Sequence, residues 1–183
     1  MKLIDIDIQG PKIIEPDIYP DARGFFCETY NRKRYAEHRI HTVFVQDNLS
    51  SSKKSALRGL HFQYPHAQAK LVQVLQGEVL DVIVDIRQKS TTFGKCAGVT
   101  LSAENKRQFF VPEGFAHGYC VLSDTALFTY KCSDFYAPDC EKGILWCDPD
   151  IGIDRPVKDP ILSDKDQHYP CLADVRKEDL PGG

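Results

Sequence analysis

The sequence predicts an all-β fold, an antiparallel sandwich or barrel with the jelly roll as its natural form. Three observations lead there. Most of the chain reads as short runs rich in Val, Ile, Phe and Tyr, residues that suit a pleated, half-buried surface. Turn residues punctuate these runs, and no long helical period interrupts them. The 183 residues fit one domain that buries roughly 70% of its unfolded surface without disulfides or a structural metal.

Ile4, Ile6 and Ile8 alternate with Asp5, Asp7 and Gln9, as in an edge strand. Such a strand suits pairing with a second copy of the chain or pairing within it. Asn31 to His38 reads as a short helix capped by Asn31. Lys70 to Leu75, then Gly77, then Val79 to Ile86 reads as a hairpin turning at the glycine. Further strands are expected over Ala97 to Leu101, Arg107 to Val111, Gly118 to Leu122 and Ala126 to Lys131. The segment from Ala137 to Lys165 is richer in Pro, Asp and Gly and reads as loops wrapping the sheet. A second short helix is expected near the C-terminus, where the charged stretch from Val175 runs into Pro-Gly-Gly and a frayed tail over 175–183. No repeat, low-complexity segment or linker divides the chain, so residues 1–183 read as a single domain.

Composition narrows the function. At 42% hydrophobic and 27% charged residues, disordered, collagen-like and coiled-coil classes are excluded. A net charge of -3 offers no basic face for nucleic acid and no attraction to an anionic membrane. No apolar run approaches the roughly 20 residues that span a bilayer. The N-terminus, with Asp5 and Asp7 set among its isoleucines, is not a secretory signal. A soluble, cytoplasmic protein is expected. Seven cysteines, an odd number without a C-x-x-C pair, read as reduced and mostly buried thiols rather than a zinc site.

Two histidines stand in informative company: His61 in Leu57-Arg58-Gly59-Leu60-His61-Phe62-Gln63, and His117 in Pro112-Glu113-Gly114-Phe115-Ala116-His117-Gly118. The second segment resembles the second motif of cupin barrels. A metal-dependent cupin would add ligands from its first motif. Here Gln63 stands two residues after His61, and Lys70 follows where a carboxylate would be expected. Two histidines are too few for a catalytic metal, and an ammonium would repel one, so no metal and no cofactor are expected.

Further motifs occur in order along the chain: Arg23-Gly24-Phe25-Phe26-Cys27-Glu28, Phe44-Val45-Gln46-Asp47-Asn48, Gln68-Ala69-Lys70-Leu71-Val72, Tyr130-Lys131-Cys132 and Leu162-Ser163-Asp164-Lys165-Asp166. Together with the two histidine segments, they resemble the dTDP-4-dehydrorhamnose 3,5-epimerases, metal-free cupins of dTDP-L-rhamnose biosynthesis, from about Ile14 to Leu172. The resemblance implies a cupin-type jelly-roll barrel, a dTDP-linked 4-keto-6-deoxyhexose as substrate and a homodimer.

The residue chemistry fits that reading. The imidazole of His61 is a group that can take a proton and give it back. The resemblance implies that Asp166 orients His61, that the Lys70 ammonium stabilises an enolate, and that Tyr130 returns a proton on the opposite face. Arg23, Arg58, His117 and Lys165 are cations able to neutralise a diphosphate, with Arg58 suited to bidentate contact. Gln46 and Asn48 can bond the base, and Glu28 and Glu141 can contact ligand hydroxyls or hold a loop. By resemblance, Tyr136 stacks on the thymine ring. An epimerase of one carbon or of another nucleotide-linked 4-ketosugar, a cupin ketoisomerase, and a non-catalytic sugar-nucleotide-binding jelly roll remain as alternatives. One conflict stands in the sequence: Arg58 and His61 are an odd number apart, so a regular strand would send them to opposite faces, unless Gly59 marks a bulge or bend.

Overall fold

The computed structural model describes residues 1–154 and 156–182. Among these residues thirteen strands and one short α-helix follow in chain order: β1 (Lys2–Asp5), β2 (Lys12–Glu15), β3 (Ile18–Asp21), β4 (Gly24–Cys27), α1 (Arg32–Glu37), β5 (Gln46–Lys53), β6 (Leu57–Gln63) and β7 (Lys70–Gln76). Then come β8 (Glu78–Asp85), β9 (Cys96–Ser102), β10 (Gln108–Val111), β11 (Phe115–Val121), β12 (Thr125–Cys132) and β13 (Glu141–Gly143). Two antiparallel sheets face each other, one ordered β1-β2-β10-β7-β12-β5 and the other β13-β6-β11-β8-β9, while β3 and β4 form a separate two-stranded ribbon. This is the expected jelly-roll architecture.

Side-chain alternation sets up three layers of burial. Val72, Val74, Phe109 and Phe128 from one sheet meet Val79, Ile83, Leu101, Phe115 and Val121 from the other inside the barrel. The opposite face of the second sheet, with Phe62, Val82, Val84 and Ala116, is covered by Ile144, Leu172 and Leu180. The opposite face of the first sheet, with Ile14, Leu71 and Phe110, is covered by Tyr35 of α1 and by Ile40. The helix starts where expected, with the Asn31 side chain accepting from the Lys33 and Arg34 amides.

Expectations are corrected at several points. The strands flanking Gly77 do not form a hairpin: β7 pairs with β10 and β12, and β8 pairs with β9 and β11, so the chain crosses from one sheet to the other at Gly77. Gly77 has φ +78, and a Cβ there would meet the Thr125 carbonyl oxygen at 2.0 Å, so the glycine is needed for the crossing rather than for a tight turn. Nor is the described C-terminal stretch frayed. Gln88 donates to the carbonyls of Lys177 and Leu180, Lys142 pairs with Asp179, and Leu180 is buried, so apolar burial and backbone bonds hold the segment; Gly183 lies outside the described residues. The expected second helix is two short 3-10 turns, Leu172–Asp174 and Lys177–Asp179. All seven cysteines are free thiols, but only Cys120 and Cys132 are buried outright. Strand β1 is an edge strand paired to β2 within the chain.

Candidate active site

The alternation that fills the barrel with apolar side chains turns polar at one end. On β7, Lys70 shares the inward face with Val72 and Val74. Opposite them on β12 are Cys132, Tyr130 and Phe128, and beyond these on β5 are Gln46, Asn48 and Ser50. From the second sheet, Asp81 of β8 pairs with Tyr119 of β11, and His117 of β11 pairs with His61 of β6. These residues surround a cavity of about 600 Å³ lined by Arg58, His61, Lys70, His117, Tyr130, Lys165 and Asp166, among others. A second space of about 310 Å³ adjoins it through the shared walls of His61, Lys70 and Tyr130, and adds Gln46, Asn48, Tyr136 and Glu141.

The parity conflict between Arg58 and His61 is resolved by a bulge. His117 pairs with His61 and Tyr119 with Arg58, so three steps on β6 match two on β11 and both side chains reach the same wall. The extra step centres on Gly59, at φ +129, where a Cβ would lie 2.6 Å from Gly118 Cα and 2.9 Å from the His117 carbonyl oxygen. Only glycine fits that close approach.

His61 Nε2 is 2.5 Å from Asp166 Oδ1, and Asp166 is buried. Burial pushes the Asp166 carboxyl up, but the bonds from His61, Ser163 and the Gly59 amide outweigh it and hold it below its ordinary value. It therefore stays anionic and fixes the imidazole. Nδ1 is left as the nitrogen that can meet a ligand. The Lys70 ammonium forms no ion pair or hydrogen bond among the described residues. Desolvation pushes its pKa down, opposed by Cys132, Asp81 and Glu141. The Tyr130 hydroxyl likewise has no hydrogen-bond partner among the described residues, and burial, with Cys132 and Tyr119 nearby, pushes it up to about 12 against the opposing charge of Arg58. The phenol therefore remains protonated at neutral pH.

His117 and Lys165, expected as ligand cations, have carboxylate partners. His117 Nε2 lies 2.9 and 3.0 Å from the two oxygens of the fully buried Asp81. Desolvation raises the Asp81 pKa, countered by His117 and Lys70. Lys165 Nζ and the Tyr136 hydroxyl each donate 2.6 Å bonds to Glu141 Oε2. Glu141 is thereby kept below its ordinary pKa despite its burial. Arg58 lines the cavity and donates from Nε to Ser52 Oγ at 3.1 Å, and among the described residues its terminal nitrogens have no hydrogen-bond partner. Gln46 accepts from the Tyr136 amide and donates to Asn48, which orders the wall of the smaller space.

Arg23 and Glu28 are not brought to this cavity. Arg23 is 90% exposed at the turn of the β3–β4 ribbon and pairs with Asp21, while Glu28 pairs with Arg34. Gln63 donates to the carbonyls of His66 and Phe135 and accepts from the Ala137 amide, so its side chain braces loops. Among the described residues no three His, Cys, Asp or Glu side chains form a set that could hold a metal. Asp81, Ser50, Ser52 and Tyr119 were not singled out from sequence. Asp81 left a trace as the charged member of an apolar strand run, whereas the serines and Tyr119 look like ordinary strand residues.

A profile described as dTDP-4-dehydrorhamnose 3,5-epimerase matches residues 5–174. The chain is 56% identical to a dTDP-4-dehydrorhamnose 3,5-epimerase of Shigella flexneri, over 91% of this chain and 93% of that protein. It superposes with a TM-score of 0.97 on a dTDP-6-deoxy-D-glucose-3,5-epimerase of Legionella pneumophila in complex with dTDP-4-keto-L-rhamnose, at 52% identity over 100% of this chain and 98% of that one. A 3'-monoepimerase of Streptomyces bikiniensis in complex with dTDP-quinovose is more distant, at 35% identity and TM-score 0.86 over 92% of this chain and 86% of that one.

Proposed function

The chain belongs to the dTDP-4-dehydrorhamnose 3,5-epimerase family, and on that premise we propose that it converts dTDP-4-dehydro-6-deoxy-D-glucose to dTDP-4-dehydro-L-rhamnose by inverting carbons 3 and 5. The observation that carries the reading is the convergence on one cavity of an anchored imidazole, an ammonium without an ion pair and a phenol without a hydrogen bond.

His61 Nδ1 takes the proton from carbon 3 or carbon 5, each acidified by the flanking 4-keto group. The C–H electron pair moves into the enolate double bond and the carbonyl pair onto oxygen. Lys70 meets that oxygen with its charge, and because both carbons flank the same carbonyl, one ammonium serves both inversions. Tyr130 then returns a proton to carbon from the opposite face, which inverts the centre. This leaves an imidazolium and a phenolate, and solvent exchange resets both. No oxidation state changes, so we assign no redox cofactor, and with the Lys70 ammonium at the oxygen and no set of three His, Cys, Asp or Glu side chains grouped among the described residues we assign no metal. Asp166 supports the imidazolium, and the Arg58 charge opposes the cost of burying the phenolate.

Binding follows the same geometry. Arg58 offers its free guanidinium nitrogens to the diphosphate, with His117 and Lys165 at the cavity wall. Tyr136, Gln46, Asn48 and Glu141 frame the smaller space for the nucleoside. The β3–β4 ribbon exposes Tyr19, Phe25 and Phe26 at 53, 59 and 67% and pairs with no other strand among the described residues, which suits a homodimer in which it lies on the second copy. In that dimer Arg23 and Glu28 serve the partner's cavity. No helix among the described residues is long and apolar enough to cross a membrane, and we place the enzyme in the cytoplasm with no membrane or nucleic-acid partner.

The test is incubation with dTDP-4-keto-6-deoxyglucose in deuterated water, followed by NMR of the sugar ring. Deuterium with inversion at both carbons supports the reading. Exchange at one carbon indicates a monoepimerase, and binding without exchange indicates a non-catalytic protein. Light scattering at working concentration tests the dimer, and a monomeric mass overturns it.

A further inference from the structure

One turn of the chain delivers two side chains to the imidazole, and only one of them is Asp166. The segment from Ser163 is folded by bonds from the Gln167 amide to the Ser163 carbonyl and from the His168 amide to the Lys165 carbonyl. It is then fastened to the chain two residues beyond β13 by the Leu145 amide, which donates to the Pro170 carbonyl at 2.8 Å. Tyr169 lies inside this fastened stretch. Its ring sits 5.7 Å from the His61 ring, centroid to centroid, with the planes at 70°, an edge contact.

The space that Tyr169 fills is set by Gly143. This glycine is the β13 residue directly opposite His61 in the β6 ladder. A Cβ at Gly143 would lie 2.4 to 2.6 Å from Cε2, Cζ and Cδ2 of Tyr169, so the aromatic ring occupies the place of the missing side chain. The Tyr169 hydroxyl, in contrast, is buried with no hydrogen-bond partner among the described residues. An unpaired buried hydroxyl costs stability, so the contact resides in the ring.

Resting on the epimerase reading, we propose that Tyr169 is a positioning residue for the catalytic base: its ring fills the slot beside Gly143 and, with Asp166, fixes the plane of the His61 imidazole. Alone, the Nε2 bond to Asp166 leaves the imidazole able to swing out of it, which carries Nδ1 away from carbon and lets the ring exchange between tautomers. A second contact, from an aromatic edge, removes that freedom. The penalty for misplacing a reacting atom by about 1 Å reaches ~100-fold in rate.

The test compares wild type with Tyr169→Phe, Tyr169→Leu and Tyr169→Ala. The first reading is nitrogen-15 NMR of the His61 imidazole in the free protein, assigned by loss of its signals in His61→Asn. Wild type and Tyr169→Phe should show one Nε2–H tautomer, and Tyr169→Ala and Tyr169→Leu an averaged one. In the turnover assay, kcat should fall about tenfold in Tyr169→Ala with KM within about twofold, and Tyr169→Phe should restore it. A single unshifted tautomer in both Tyr169→Leu and Tyr169→Ala would overturn the proposal, as would a Tyr169→Phe enzyme as impaired as Tyr169→Ala. If Tyr169→Ala does not fold, the leucine variant alone decides. The NMR reading needs no turnover, so an inactive wild type would count against the epimerase reading and not against the clamp.

Discussion

Replacing Lys70 by Met should move activity and stability in opposite directions. The ammonium lies in the barrel end without an ion pair among the described residues, and its desolvation lowers its pKa below 10.5. Met has similar length and no charge to desolvate, while Asp81 keeps its two contacts with His117. Removing an electrostatic donor from a developing oxyanion costs about 3 kcal/mol, so deuterium exchange should slow by roughly 100- to 1,000-fold at both carbons. Relief of the buried charge should raise stability by about 1 kcal/mol, or roughly 2–4 °C in Tm for a domain of this size. The pH dependence has a definite sign. Because the folded pKa of Lys70 is depressed, the unfolded chain binds its proton more tightly, and the penalty on the wild type is full below the folded pKa. It is relieved as pH rises from there towards 10.5, so the Tm advantage of Lys70→Met should narrow over that interval. Calorimetry across pH, together with exchange rates from the same preparations, reads both effects. Exchange within about threefold of wild type would refute the role of the ammonium. A lower Tm at pH 7 would show that the charge is compensated after all.

Tyr130→Phe should still incorporate deuterium while yielding little inverted sugar, since the base and Lys70 remain; an unchanged inversion rate would remove Tyr130 as the acid. Gly59→Ala should cost about 3 kcal/mol, measured by urea titration, because it adds positive-φ strain and a 2.6 Å clash with Gly118 Cα; full stability and activity would mean the bulge is not needed to aim Arg58 and His61. Burial pushes Asp85 up, but bonds from Arg87, Ser90 and Thr92 hold it at about 2. The depression from 3.8 is worth roughly 2 kcal/mol at neutral pH, present above the unfolded value and lost as pH falls through about 2. Asp85→Asn should therefore lower Tm at pH 7, with a deficit that shrinks between about pH 4 and pH 2.

Local chemistry determined what the sequence by itself could tell. Val, Ile, Phe and Tyr runs between turn residues located β7 to β12 to within a few residues, and the Asn31 cap located α1. The ordered motifs around His61, Lys70, His117, Tyr130 and Asp166 pointed to the family, because the reaction demands those groups whatever surrounds them. What strand pairs with what is a different matter. The run through Gly77 is compatible with a hairpin or a crossing, since strand alternation and a positive-φ glycine serve either. Only the positions of β10, β12, β9 and β11, distant in sequence, decided for the crossing. The same holds for the site. Parity alone set Arg58 against His61, and the bulge became visible only when β11 fixed the register of β6. Lys165 and His117 read from sequence as cations free for a ligand, but the fold gives them Glu141 and Asp81 as partners. Tyr169 had no local signal, because its role depends on a missing side chain at Gly143, brought beside it by the β13–β6 pairing. Periodicity and turn chemistry act over a few residues and so are legible along the chain. Register, burial and partner choice arise from long-range closure of the barrel, which no short window of sequence contains.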